Sequence, residues 1–169
     1  MTIATQALNQ AFPPLQARVL TTVFNFASRA YKTADKTYNA SVVLTADTDI
    51  ILNLTGGKTY AIHGVFPLSI ANAAHGVQFD FNGGTATATN FTGRMWFGGV
   101  ADKHLAASAT ALNTALSGGT TNAWTFAVFE GTIEVLVGGS FIVEHCQAAS
   151  GASNSVVQRG SYVSATPFA

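Results

Sequence analysis

The side chains that could carry chemistry in this sequence are few and widely spaced. His145 and Cys146 are neighbours, and a thiol beside an imidazole is the pairing of a nucleophile with its base. They lie in the apolar run 140–147, which reads as a strand, and adjacent strand residues point to opposite faces. The hydrogen bond that would make a thiolate is therefore not expected. His63, His75, His104 and His145 are scattered, with no HxH or HxxH spacing and no cysteine pair, so one chain offers no metal set. Three copies of one histidine meeting on a three-fold axis stay open at this point. Asp47 and Asp49 flank Thr48; such a pair can hold calcium, but it more often shapes a turn before a strand. The glycine pairs lack the GxxxxGK[ST] spacing of a phosphate loop. Trp96, Phe97 and Trp124 could stack on a sugar or a base, though in so apolar a sequence such residues usually fill a core or an interface. Trp96 and Phe97 are the candidates for an exposed aromatic binding loop. No catalytic, cofactor or metal residues are assigned, and no enzyme is expected.

The elements that must position these residues read as strands. Gly56-Gly57, Gly83-Gly84, Gly98-Gly99, Gly118-Gly119 and Gly138-Gly139 punctuate the chain, and glycine pairs between apolar alternating runs predict hairpin turns. Between them, strands are predicted over 19–26, 49–54, 59–70, 77–81, 85–92, 124–129, 132–137, 140–147 and 156–165. In 77–81 the alternation is strict and puts Val77, Phe79 and Phe81 on one face. Short strands at this spacing predict a sandwich or a barrel. Residues 102–117 break the pattern. Asp102 can cap a helix with Leu105, Leu112 and Leu116 on one face, or the stretch is a Thr/Ala-rich loop. Residues 1–18 carry little periodicity and read as an N-terminal arm, with Leu8, Phe12, Pro13, Pro14 and Leu15 as its candidate attachment residues. The remainder, 19–169, reads as one β-sandwich domain.

Composition narrows the function classes. Of 169 residues, 48% are hydrophobic and only 9% charged, with a formal net charge of zero; a typical soluble domain carries roughly 25% charged residues. A surface so poor in charge is weakly protected against association, which points to a chain covered by its own copies or by a scaffold. Without a basic cluster, nucleic acid is not an expected partner. No apolar run is long enough for a spanning helix, and no membrane partner is expected. The first ten residues lack the basic and apolar regions of a signal peptide, so synthesis in a cytoplasm is expected.

The C-terminal part carries a resemblance. Glu130-Gly131-Thr132-Ile133, then Val135 through Gly138-Gly139 to Phe141, then Glu144-His145-Cys146-Gln147, a small-residue loop, and Val157-Gln158-Arg159-Gly160-Ser161-Tyr162 follow one another in order. That order resembles structural proteins of tailed phages and prophages, where it closes a small jelly roll related in shape to the tumour-necrosis-factor and C1q heads. It covers about the last fifty residues well. Cys146 stands where those proteins usually have alanine, which suits a buried strand position. The resemblance implies an all-β jelly-roll sandwich of about eight strands with an N-terminal arm. It also implies a homotrimeric virion protein on the outer capsid surface, with the major capsid protein as partner. Decoration of the phage head is the expected role, because the chain has no heptad stem or collagen-like stretch. The receptor-binding tip of a tail or head fibre is the alternative. In the GSY segment, Gly160 is expected to allow a sharp bend, Ser161 to bond to nearby backbone, and Tyr162 to open the last strand.

Overall fold

The computed structural model describes residues 27–82, 84–99 and 104–168. The arm, with Leu8, Phe12, Pro13, Pro14 and Leu15, and the strand expected over 19–26 lie outside the described residues. Among the described residues there are twelve strands and no helix. In chain order they are β1 Ser28–Tyr31, β2 Lys36–Tyr38, β3 Thr45–Leu54, β4 Lys58–Ile70, β5 Gln78–Asn82, β6 Thr87–Gly99, β7 His104–Ala109, β8 Leu116–Ser117, β9 Trp124–Val137, β10 Gly139–Cys146, β11 Ser155–Val157 and β12 Tyr162–Pro167.

Two antiparallel sheets hold them. The larger runs β1-β12-β4-β9-β6-β7, with β11 joining β4 to β2; the smaller runs β3-β10-β5-β8. From β3 onward the chain repeatedly steps from one sheet to the other, and that alternation makes the sandwich a jelly roll. The hairpin β6–β7 extends the larger sheet beyond β9.

Where the sequence predicts hairpins, Gly56-Gly57, Gly118-Gly119 and Gly138-Gly139, together with Gly84, mark passages between the sheets, whereas Gly98-Gly99 leads into a hairpin within one sheet. The reason is close backbone approach at the corners. A Cβ on Gly56 would stand 2.8 Å from the Gly138 nitrogen, and one on Gly138 would stand 2.7 Å from the Gly56 nitrogen. The two corners lie backbone against backbone.

Other expectations change as well. Residues 104–109 form β7, because Ala107 and Ala109 face the core while Ala106 and Ser108 face out, the period of a strand. Leu112 and Leu116 still pack inward, but from an irregular segment and from β8. The predicted pair 124–129 and 132–137 is one strand, β9, since Gly131 keeps the inward alternation of Phe129 and Ile133 unbroken. The predicted strand 156–165 is two, divided at Gly160. The short strands β1 and β2 have no apolar period and were not predicted.

Between the sheets lies an aromatic core. Phe66 and Phe97 flank Phe79, with centroids 4.8 and 6.2 Å away, and Trp124 follows 6.0 Å beyond Phe97. Phe81 stacks on Phe129 at 3.8 Å, with Phe91 and Phe141 around them.

Candidate functional site

The residues singled out from sequence separate into a buried centre and an outer face. Phe97 is fully buried in strand β6, so Trp96 and Phe97 are not an exposed loop. Strand parity sends Phe97 into the core and Trp96 outward, where it is half-buried beneath Arg94, whose guanidinium lies 5.8 Å from the ring. His145 and Cys146 point apart, as expected. The thiol accepts from Gln78 and donates to the Gln147 carbonyl, and burial pushes its pKa up, which makes it inert.

Asp47 and Asp49 do not form a turn before a strand; they interrupt β3 itself. Residues 47–50 stand opposite Val143 alone, and the Asp49 N–H donates to Asp47 Oδ1. The interruption aims Asp47 inward. Its Oδ2 accepts from Lys32 Nζ at 2.6 Å and from His145 Nε2 at 2.7 Å, and all three side chains are buried. Asp49 stays outside and accepts from the Thr33 backbone and hydroxyl. The two aspartates thus tie the segment after β1 onto the smaller sheet.

Burial against Phe79 and Tyr38 holds the His145 pKa below its ordinary value, so the ring is neutral and its Nε2–H donates to the carboxylate. Burial alone would raise Asp47; the hydrogen bonds from His145 and Lys32 win and hold it well below the usual carboxylate range. The centre is therefore a Lys⁺–Asp⁻ pair with a neutral histidine. Among the described residues, the His145 Nδ1 and the Tyr38 hydroxyl have no hydrogen-bond partner. No group of three or more metal-ligating side chains occurs among the described residues. The geometry of the centre is that of a clamp.

The sign of its pH dependence follows. The unfolded chain binds a proton on His145 near its ordinary pKa and on Asp47 near 3.8, whereas the folded chain resists both. Stability contributed here is complete above the ordinary histidine pKa and is lost as pH falls, first through His145 and then through Asp47. Asp80 opposes this in the carboxylate range, since burial and Glu144 raise its pKa. Denaturant midpoints measured from about pH 7.5 down to about pH 4 are expected to fall steadily, with the first loss near pH 6. A midpoint constant down to pH 5 would mean that His145 is not held neutral by burial.

The remaining motif residues have structural work. The Gln147 side chain accepts from the Ser41 and Gly151 N–H groups and donates to the Gly151 and Ser153 carbonyls, which fixes the Ser-rich loop. Gly160 has a φ of 86°, Ser161 Oγ donates to the Gln158 carbonyl, and β12 opens at Tyr162, as the GSY segment predicts.

Antiparallel register builds the outer face of the larger sheet. Tyr31, Tyr162, Val65, Val128, Trp96 and Ala106 lie side by side across its strands. The next row is Arg29, Ser164, His63, Glu130, Arg94 and Ser108. Sequence reading missed these rows: alternation was visible for their members on β4, β9 and β12, whereas Arg29 and Tyr31 lie on β1, which has no apolar period. At the end where β4 begins and β9 and β12 finish, Leu136, Val137 and Phe168 are 63%, 55% and 59% exposed.

No protein-family model matches the chain, and no curated protein matches it. Among solved structures it is similar to the Eiger TNF from S. frugiperda, at 11% identity and a TM-score of 0.34, over 85% of this chain and 93% of that one. It is also similar to VP2 of the infectious bursal disease virus subviral particle, at 10% identity and 0.23, over 85% and 41%. The infectious bursal disease virus Gt strain matches at 9% and 0.23, over 85% and 38%. The chain thus spans less than half the length of either virus protein. The jelly-roll assignment rests on the strand order.

Proposed function

We propose that this chain is a non-enzymatic structural protein of a virus particle, a homotrimer that decorates the outside of a capsid and stabilises the shell. The observation that carries this reading is the apolar end formed by Leu136, Val137 and Phe168 on a chain of which only 9% is charged. Three large side chains, each more than half exposed at one end, need cover, and the shell protein is the occupant we assign to them. The charge-poor remainder of the surface suits packing among copies. The buried Lys32–Asp47–His145 clamp serves rigidity, and the sequence resemblance to phage virion proteins agrees with the role.

A decoration protein binds the assembled shell and not its dissociated subunits, so occupancy stabilises every joint it spans. Particles lacking the chain are expected to assemble, then release their genome at lower temperature or under osmotic shock, with unchanged adsorption to host cells. Normal stability with lost adsorption would overturn this reading in favour of a fibre tip. A monomer in light scattering at micromolar concentration would remove the trimer.

A further inference from the structure

We propose that the outer face of the larger sheet carries a binding site for an acidic sugar, a saccharide bearing a carboxylate, at a concavity of about 280 Å³ lined by Arg29, Tyr31, His63, Tyr162 and Ser164. Three features of the site converge on that chemistry. The Arg29 side chain is exposed, and no described residue forms an ion pair or hydrogen bond with its guanidinium. A free guanidinium fork matches a carboxylate in bidentate geometry. Beside it, in the next row of the sheet, Tyr31 and Tyr162 stand with ring centroids 6.1 Å apart and planes inclined by 37°, an open aromatic wall. The apolar face of a pyranose packs on such a wall while its hydroxyls stay free for polar partners. Those partners are at hand. Register sets Ser164 between Arg29 and His63, and the Tyr162 hydroxyl lies 3.4 Å from His63 Nδ1, both residues lining the concavity.

Strand pairing holds these groups in place without a ligand. Arg29 and Tyr31 are two apart on β1 and share its outward face; Tyr162 and Ser164 do the same on β12, directly opposite them. The site is formed by an antiparallel ladder and not by a loop, so little ordering is required on binding. The neighbouring concavity around Thr33, Asp35, Gln158 and Arg159 has no aromatic wall, and the one along Gly93 and Gly131 carries both Arg94 and Glu130. Neither combines a free cation with stacking surface.

The site is independent of the capsid reading, and its failure leaves that reading standing. The test is NMR titration of the full chain with oligosaccharides ending in glucuronate, oligosaccharides ending in N-acetylneuraminate, and the neutral galactose-ended counterparts. At least one acidic series is expected to bind at millimolar strength or better, and the neutral one to bind at least about tenfold more weakly. R29A is expected to lose about tenfold or more in affinity, and R29K most of that, because the ammonium lacks the fork. Y31A should weaken binding while melting with the parent protein. Absence of binding by either acidic series, equal binding of the neutral sugars, or full affinity in R29A would each overturn the site.

Discussion

Replacing Asp47 by alanine is expected to destabilise the protein by about 3–5 kcal/mol, a large fraction of the stability of an ordinary domain. The substitution removes the acceptor of both Lys32 Nζ and the His145 Nε2–H, and both donors are buried in the centre. A buried ammonium without a counter-ion costs far more than the pair itself contributes, because desolvation is no longer offset. The companion variants isolate this cause. Lys32→Met leaves the Asp47 carboxylate with His145, which can take up a proton to become its counter-ion, so a smaller loss is expected. The double variant Lys32→Met with Asp47→Leu removes both charges and should recover much of what Asp47→Ala loses. Urea midpoints of the three variants test the series. If the double variant is as unstable as Asp47→Ala, shape and packing at this point matter and the stranded charge does not.

Gly131→Val is expected to cost about 3 kcal/mol, at the upper end of overpacking in a tight core. Gly131 faces inward in the middle of β9, opposite Gly93 of β6, and the ring of Phe129 occupies the space their missing side chains leave. A Cβ at Gly131 would lie 2.6 Å from the Thr92 carbonyl oxygen and 2.9 Å from Phe129 Cζ. The ring can turn only at the expense of its 3.8 Å stack on Phe81, and the carbonyl belongs to the β6 backbone and can move only with its strand. Gly57→Ala is the fitting comparison. Gly57 has a φ of 71° and open space around its Cα, so alanine there incurs only the left-handed backbone penalty of about 1–2 kcal/mol. Equal midpoints for the two variants would show that the core yields to the added volume and that the glycine of the Glu130-Gly131-Thr132 segment has another purpose.

Much of the architecture was legible because strand periodicity is local. The alternation in 77–81 placed Phe79 and Phe81 together in the core, and the runs that became β3, β4 and β10 appear within a few residues of their predicted bounds. The opposed faces of His145 and Cys146, and the bend, local bond and strand start of Gly160-Ser161-Tyr162, follow from backbone geometry that neighbouring residues set by themselves.

What was illegible depends on residues far apart in the chain. Glycine pairs announce turns, but a turn does not say whether the next strand pairs beside the last or crosses to the facing sheet; corner packing of Gly56 on Gly138 settles that. Two adjacent aromatics do not say which is inside, and the register of β6 on β9 sent Phe97 to the core and Trp96 to the surface. Residues 104–109 had helical spacing available to them, yet pairing with β6 satisfied their backbone groups and overrode that propensity. The clamp joins Asp47 to Lys32, 15 positions away, and to His145, 98 positions away. The concavity at Arg29 needs Tyr162 and His63 from two other strands. Composition and period determined the kind of fold this chain adopts, since each residue's alternation is a property of its own strand. Register and sheet assignment decided which side chains meet, because those are fixed only when distant strands exchange their hydrogen bonds.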